Sequence, residues 1–375
     1  MPAQPQPLLI VAVTGRALAA SAARARHAVV VLDCFADRDT RLAAIDCRLV
    51  VASRSLRFDR RRLLEAAQEM APAGGDGGLV YGSGFEGRPG LLRRLAEGRR
   101  LHGNAPAVVA SVRNPGTFFP LLDRLGIRHP EVRLEPPSES AGWLVKHPGG
   151  AGGAQVRHAG GRRTGTGAYF QRLEQGRVMS VLFLADGKRA RVIGFNEQWT
   201  APVRPGLPFL YGGAVGGIAL PATVEADLRA KLDALAAATG IVGLNGIDFL
   251  LRGDEWSVLE LNPRPTATME LYDPDYAGGL FDWHLRACGG ELPAQPAPAG
   301  AVRAHAVVHA VAAWQVAPAF AFPGWCRDVP NPGTRLSPGD PVCTVHAEAV
   351  DPERAVALLR QRRAALERAM IAEAA

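Results

Sequence analysis

The sequence predicts an α/β domain followed by a longer α+β region. Over residues 1–112, short apolar runs alternate with helical patterns, which is typical of a parallel sheet covered by helices on both faces. After residue 112, pairs of strand-like runs are joined by tight turns instead. The length of 375 residues also exceeds what one hydrophobic core usually organises, so we expect two or three domains.

The chain is predicted to have four parts. They are an N-terminal α/β domain (1–112), a small subdomain with a lysine-bearing strand and a glycine-rich loop (113–175), a larger subdomain with a cluster of acids (176–290), and C-terminal strands with a helix (291–375). The last part begins in the Pro/Ala-rich tract 291–300, which is typical of a linker.

In the first part, apolar runs predict five strands and a helical pattern predicts one long helix. The strands are expected at 8–13, at 28–33, from Val50 onwards, at 78–84 and at 106–112, and the helix at 60–70. The loop 82–87 matches G-x-G-x-x-G after a strand, which could indicate a dinucleotide site. That fingerprint also needs an acid at the end of the next strand. The run 106–112 has none, so we disfavour NAD binding.

The second part joins a strand lysine to a glycine-rich loop. A helix is predicted at 116–125 and strands at 143–147 and 168–173, and Lys146 lies in the first of these strands. The loop that follows contains Gly149, Gly150, Gly152 and Gly153. Bare backbone N–H groups can close over phosphates while an ammonium neutralises their charge, although a plain hairpin turn has the same composition.

The third part contains a hairpin, a loop, a helix and two acid-bearing strands. The hairpin is predicted at 180–184 and 190–195, a mobile glycine-rich loop at 208–217 and an amphipathic helix at 223–239. If residues 253–255 form a three-residue turn, position 250 faces 258 and Asp248 faces Glu260, with Asn262 on the same side as Glu260.

Asp248 and Glu260 lie within apolar runs, where a charged side chain is energetically unfavourable unless it is compensated. An unpaired buried carboxylate costs several kcal/mol or stays protonated, and a divalent cation removes that cost. An all-oxygen ligand set suits Mg²⁺ that bridges nucleotide phosphates. The alternative is a strand pair whose acids face solvent.

The fourth part is predicted to hold strands at 302–311 and 340–347 and a final helix from Pro352 to about Ala372. Three histidines lie in these strands, namely His305, His309 and His346. Because neither a cysteine nor an acid accompanies them in the sequence, we interpret them as structural.

Bulk composition limits the classes of partner. The net charge of +7 is spread over the chain without a dense basic run, which disfavours nucleic acid and is compatible with an anionic substrate. Five scattered cysteines favour free thiols in a reducing compartment. We expect no membrane span and a cytoplasmic protein. Only three basic residues are lysines: Lys146, Lys188, which we place in a solvated turn, and Lys231.

The pattern from Asp248 through Glu260 and Asn262 to Arg264, after a glycine-rich approach, resembles the metal-binding strands of ATP-grasp ligases. Lys146 and its glycine loop, roughly 100 residues earlier, extend the resemblance through most of the chain. The resemblance implies an ATP-grasp fold with an N-terminal parallel α/β domain, central ATP-grasp subdomains and a small C-terminal β/α segment.

The resemblance also implies roles for individual residues. Asp248, Glu260 and Asn262 would hold the two Mg²⁺ ions of MgATP, with Mn²⁺ as an acceptable substitute. Lys146 and the four loop glycines would clamp the phosphates, and Arg264 would steer the substrate carboxylate and stabilise an acyl phosphate. The remaining expected nucleotide contacts are Gln171 and Leu173 at the adenine and Glu174 at the ribose, where Val178 occupies the position of the usual glutamate.

Two further residues are left open. Glu86 is either a contact to the substrate or a helix cap, and Arg113 stands where the family often has a lysine.

The implied activity is that of an ADP-forming carboxylate–amine ligase acting on small molecules, with a homodimer allowed. Within the superfamily, the chain is most similar to predicted carboligases associated with methanopterin- or methanofuran-type C1-carrier synthesis, of which tyramine–glutamate ligase is one activity. Two alternatives remain. One is an ATP-grasp carboxylase that uses bicarbonate, favoured by the stretch 339–347, and the other is a nucleotide-binding module without catalysis. The sequence leaves the acid and the amine open.

Overall fold

A computed structural model describes residues 6–51, 56–160, 165, 167–294 and 300–374. Its first part is built on a parallel sheet. The elements are β1 (Leu8–Val11), α1 (Arg16–Arg24), β2 (Val29–Asp33), α2 (Arg38–Ala43), β3 (Asp46–Leu49), α3 (Arg60–Met70), β4 (Leu79–Tyr81), α4 (Pro89–Ala96), β5 (Leu101–His102) and α5 (Pro106–Arg113).

The five strands of this sheet lie in the order β3-β2-β1-β4-β5 and are all parallel. Side chains alternate along β1, so Leu8 and Ile10 pack towards α1. Leu9 and Val11 pack on the opposite face, towards α3 and α4. The predicted α/β domain with helices on both faces is therefore confirmed.

Two predicted strands of this domain are wrong. Residues 106–112 form helix α5, because Pro106 suits the first turn of a helix and the buried Val109 and Val112 lie three residues apart. A short apolar run does not distinguish a strand from a buried helix. The strand expected from Val50 lies earlier, at β3, whose edge position leaves most of its residues exposed and without an apolar run.

Asp37, which precedes α2, provides a test of this domain by pH. Burial, and then the charges of Asp328, Asp33 and Asp39, raise its pKa to about 9. Between roughly pH 4 and pH 9 the folded protein therefore holds a proton that the unfolded chain releases, and its stability falls as the pH rises. From pH 7 to pH 9 we expect the wild type to lose about 1–2 kcal/mol of unfolding free energy relative to Asp37→Asn. Urea unfolding of both proteins at the two pH values measures this, and parallel pH profiles would contradict it.

The second and third parts supply a small sheet, most of a large sheet and the helices that cover them. Their elements are α6 (Pro115–Arg124), β6 (Val132–Arg133), β7 (Trp143–Lys146), β8 (Val156–His158), β9 (Tyr169–Arg172), β10 (Arg177–Asp186), β11 (Ala190–Thr200), β12 (Tyr211–Val215), α7 (Ala222–Thr239), β13 (Val242–Arg252), β14 (Glu255–Asn262), 3-10 turns at Ala267–Leu271 and Asp273–Asp275, and α8 (Leu280–Cys288).

The small sheet is antiparallel, in the order β6-β9-β7-β8. The glycine-rich segment 208–217, predicted as a mobile loop, contains strand β12 instead. Its Gly213 allows a neighbouring strand to approach, since a Cβ at this position would lie 2.3 Å from the carbonyl oxygen of His305. The glycine thus serves close strand packing.

The C-terminal strands continue the large sheet. The elements are β15 (Val302–His309), β16 (Trp314–Gln315), β17 (Cys326–Arg327), β18 (Arg335–Leu336), β19 (Pro341–Ala349) and α9 (Pro352–Ala374). The large sheet is antiparallel and has the order β14-β13-β10-β11-β12-β15-β19-β17. The predicted strands and final helix of this part are present, and residues 295–299 of the predicted linker lie outside the described residues.

The large sheet lies between two apolar layers. Along β10, Val181 and Phe183 pack towards α6 and α7. Leu182 and Leu184 point the other way, into the cluster that includes α1 and α8. The N-terminal domain is thereby packed directly against the sheet that carries the acid strands.

All five cysteines are free thiols in the structure, as predicted. Among the described helices, none is both long and apolar enough to cross a bilayer.

Candidate functional site

Strands β13 and β14 bring two acids face to face. The turn between the strands has two residues, Gly253 and Asp254, and not the predicted three, so Leu250 pairs with Ser257. A β-bulge after Asp248 shifts the register by one residue, and Asp248 then pairs with Glu260. The predicted pairing of Asp248 with Glu260 is confirmed, although the predicted turn is wrong. The shorter turn and the β-bulge each shift the register by one residue in opposite directions, so their effects cancel at the acids.

Asp248 is held by two amides. Its Oδ1 accepts a hydrogen bond from Gln198 Nε2 (2.7 Å), and its Oδ2 accepts one from Asn262 Nδ2 (3.0 Å). Burial, followed by repulsion from Glu260, raises the pKa of Asp248 to about 7. The side-chain oxygen of Asn262, Oδ1, faces away from Asp248 and accepts a hydrogen bond from Arg264 Nη2 (3.3 Å). A flip of this amide would turn its oxygen towards Asp248, as the predicted ligand set requires.

Glu260 has the opposite electrostatic environment. Its Oε2 accepts a hydrogen bond from Arg113 Nη1 at 3.1 Å. Burial raises the pKa of Glu260, but the positive charges of Arg113, Lys146 and Arg264 outweigh burial and leave it below the ordinary value. Glu260 is thus held ionised beside an acid that retains its proton more readily.

Lys146 reaches the acid strand from the small sheet. It is only 5% exposed, and its Nζ donates a hydrogen bond to Gln171 Oε1 at 2.9 Å. Gln171 in turn donates to the carbonyl of Leu259, the residue before Glu260 (3.4 Å). The side chain of Gln171, which we predicted to lie in the adenine linker, is therefore turned inward, and Leu173 and Glu174 are exposed just beyond the end of β9.

Arg113 joins the glycine-rich loop to Glu260. Besides Glu260, its guanidinium donates to the carbonyls of Pro148 (2.9 Å) and Gly150 (3.1 Å). It is 8% exposed, and all of its N–H-bearing nitrogens have protein partners. Arg113 thus fixes the start of the loop relative to the acids.

The N-terminal domain contributes Glu86. Its carboxylate accepts from Arg264 Nε at 2.6 Å and from the backbone N–H of Gly84 at 2.7 Å. A Cβ at Gly87 would lie 2.5 Å from the Cα of Gly149, so the two loops touch at a point that admits no side chain. The loop 82–87 therefore contacts both the end of β14 and the glycine-rich loop.

The predicted site residues divide into two groups. Those that converge are Lys146, Gly149, Gly150, Gln171, Asp248, Glu260, Asn262 and Arg264. Gly152 and Gly153 lie against residues 209–211, with Tyr211 donating its N–H to the carbonyl of Gly152 (2.9 Å). Leu173 and Glu174 lie exposed after β9, and Lys188 is exposed in the turn after β10.

Gln198, which holds Asp248, was not singled out from the sequence. Asn196, Glu197 and Gln198 are three consecutive polar residues at the end of a predicted strand, so no alternation marks Gln198, and the available signal was the resemblance to ATP-grasp proteins, which have a residue near the phosphates or the substrate at this strand end.

The facing acids fit a divalent cation. They are two oxygen ligands on one side of a hairpin, and their mutual repulsion has no compensating charge at Asp248. For Asp248→Asn we expect the melting temperature of the metal-free protein to rise by about 2–5 °C, because repulsion is removed. MgADP should stabilise the wild type and no longer stabilise the variant. Thermal scans with chelator and with MgADP measure both, and a lower melting temperature of the chelated variant would contradict the expectation.

Part of the chain is similar in sequence to a known protein domain. Residues 117–268 match the sequence model of an ATP-grasp domain. No curated protein matches the chain by sequence. The fold is similar to that of the L-amino acid ligase from Bacillus licheniformis, with 14% identity over 96% of this chain and 97% of that one, and a TM-score of 0.70.

Two other solved structures share the fold. N5-carboxyaminoimidazole ribonucleotide synthetase from Thermotoga maritima is 17% identical, with 96% of this chain and 98% of that chain covered and a TM-score of 0.67. Rhizobium etli pyruvate carboxylase is 15% identical over 96% of this chain, with a TM-score of 0.73, but this chain spans only 37% of it. At these identities the likeness establishes the fold, and residues 117–268 match an ATP-grasp domain.

Proposed function

We propose that this protein is an ADP-forming ligase that activates a carboxylate as an acyl phosphate and joins it to an amine. The observation that carries the proposal is the facing pair Asp248 and Glu260 with Lys146, Arg113 and Arg264 close enough to lower the pKa of Glu260. The fold likeness to an L-amino acid ligase over nearly the whole of both chains supports the same reaction class.

Asp248, Glu260 and Asn262 would hold the divalent cations of MgATP. When bound, Mg²⁺ neutralises charge at the β- and γ-phosphates of the nucleotide. Lys146 would add a compact positive charge to the same phosphates, which its burial beside Gln171 keeps in place. The backbone N–H groups of the glycine-rich loop would cover the phosphates, and Gln171, Leu173 and Glu174 would border the adenosine.

Arg264 would orient the acid substrate. The carboxylate of Glu86 accepts a hydrogen bond from Arg264 Nε and fixes the guanidinium. Arg264 Nη2 lies 3.3 Å from Oδ1 of Asn262, at the edge of the acid pair. A guanidinium held in this way can bind a carboxylate through two hydrogen bonds. A carboxylate oxygen attacks the γ-phosphorus, the bond to the β–γ bridging oxygen breaks, and ADP leaves. The amine then attacks the acyl carbon, phosphate departs and the amine nitrogen loses a proton to solvent. The contribution of the protein is positioning and electrostatics.

More specifically, the protein would have a tyramine–glutamate ligase-like activity in the synthesis of a C1-carrier cofactor. It would act in the cytoplasm, and a homodimer is compatible with this activity. The support for this activity is the resemblance carried by Asp248, Glu260, Asn262 and Arg264, together with the match of residues 117–268 to an ATP-grasp domain.

The test is ADP release from MgATP in a matrix of carboxylates and amines, with the Glu260→Gln variant, which we expect to be inactive, as the blank. We expect release that needs one acid and one amine together, and a mass spectrum of the product that shows an amide. Glutamate with tyramine tests the tyramine–glutamate ligase-like activity, and absence of their amide removes it. Release stimulated by bicarbonate alone would indicate the carboxylase, and binding of ATP without release under any condition would indicate a module without catalysis.

A further inference from the structure

Besides the acid pair, one group of three side chains in the described part of the chain has the arrangement of a metal site. Glu270 comes from the 3-10 turn after β14, and His305 and His346 are paired residues of β15 and β19. One ligand atom of each residue lies within 4.8 Å of the others. We interpreted the histidines as structural because the sequence offered no acid partner, and the fold supplies that partner as Glu270.

The two histidines have free nitrogens. His305 is 1% exposed, and its Nδ1 and the Nε2 of His346 are buried without a hydrogen-bond partner among the described residues. Buried polar atoms are usually satisfied, so two orphans in one cluster require an explanation.

The hydroxyl of Tyr211 explains which nitrogen of His305 is available. It lies 2.6 Å from Nε2 of His305. An N–H at this position would donate to the hydroxyl and leave the lone pair on Nδ1, as histidine ligands of metals are usually arranged. Burial also lowers the pKa of both histidines, to about 4 for His305, so both rings are neutral at pH 7.

The cluster lies in a network of charged side chains. Glu270 forms an ion pair with Arg16 through both of its oxygens. Arg16 also binds Asp328 (3.1 Å) and lies 3.7 Å from Asp39. One buried guanidinium therefore faces three carboxylates, and His346 lies near the negative charges of Glu270 and Asp328 and the positive charges of Arg16 and Arg327.

We propose that Glu270, His305 and His346 bind a first-row transition-metal ion, with Zn²⁺ preferred. Two imidazoles and a carboxylate are a common zinc ligand set that leaves a fourth position for water. Tetrahedral zinc with bonds of about 2.0–2.1 Å separates its ligand atoms by about 3.3–3.5 Å, so the side chains need to move by roughly 1 Å. The ion would join β15 and β19 to the segment that follows the acid strands. The proposal does not rest on the proposed ligase activity, because its three ligands include neither Asp248 nor Glu260.

The test measures the amount of metal bound to the protein, and it requires neither ATP nor an assay of enzyme activity. Tag-free full-length protein is stripped with chelator, given Zn²⁺, desalted and analysed for bound zinc, and Co²⁺ is titrated with absorbance between about 500 and 650 nm as the spectroscopic signature of tetrahedral coordination. We expect one zinc per chain in the wild type. In His305→Ala and in His346→Gln, we expect zinc affinity to fall by at least about 10- to 100-fold.

Two variants serve as controls. His309→Ala removes a buried histidine from the same strand but outside the cluster, and Asp248→Asn changes the acid pair. Both should bind zinc like the wild type. Circular dichroism reports folding, and if His305→Ala fails to fold, His346→Gln decides, since that side chain is 21% exposed. Zinc binding that is absent in the wild type, unchanged in His346→Gln or lost equally in His309→Ala would overturn the proposal.

Discussion

Replacement of Glu260 by glutamine is expected to reduce ADP release by at least about 10³-fold. The substitution keeps the size of the side chain but removes the charge that pairs with Arg113 and faces Asp248. Glu260 is held ionised by three cationic side chains, so its carboxylate would serve as a cation ligand, and the substitution would leave a neutral amide in place of one of the two facing acids that would hold Mg²⁺. Initial rates of ADP release at saturating MgATP, once an acid and an amine are known, measure the effect.

The matched control is Glu255→Gln in the same strand. Glu255 is exposed and pairs with Arg128 (2.8 Å) and Arg252 (3.0 Å) at the surface, so the variant should retain wild-type rates. If Glu260→Gln retained more than about a tenth of the activity while folded by circular dichroism, the placement of the phosphates beside this strand would be wrong.

Lys146→Met is the second substitution for which we expect a large loss, about 10²–10³-fold in kcat/KM for MgATP. Methionine preserves the apolar stem but removes the ammonium that donates to Gln171 and lies near Glu260. We expect Lys146→Arg not to restore activity, because the planar guanidinium does not fit where Gln171 is fully buried against the ammonium.

Titration with MgADP by calorimetry separates affinity from rate for these variants. Lys188→Met is the control, since that lysine is exposed in a hairpin turn far from any assigned contact, and it should behave like the wild type. Equal losses in the Lys146 and Lys188 variants would indicate a general effect of charge and would contradict a specific role for Lys146.

The core of the candidate site was predictable because its signals are local. The alternation of polar and apolar residues around Asp248 and Glu260 specifies which side chains share a face, and this depends only on the period of a strand. The strand position of Lys146 and the glycines after it are similarly local. The pairing of Asp248 with Glu260 was predicted correctly through two compensating errors, whereas the predicted pairing of 250 with 258 is wrong by one residue, because nothing in the sequence marks the β-bulge at Leu259.

The supporting contacts were not predictable, since they join distant segments. Arg113 and Glu260 are 147 residues apart in sequence, and Glu86 and Arg264 are 178 apart. The histidine cluster depends on Glu270 being brought to two paired strands. Helix α5 was mistaken for a strand because its apolar run is too short to separate the two structures, and the helix-start signal of Pro106 was given too little weight.

The continuity of the large sheet limits how the protein can be shortened. Strand β12 is an interior strand only because β15, from beyond the Pro/Ala-rich tract, pairs with it. A fragment cut at that tract would leave the N–H and C=O groups of β12 as an open border able to recruit strands from other molecules. The residues that match the ATP-grasp domain therefore cannot serve as a minimal soluble enzyme, and expression trials should keep everything through α9.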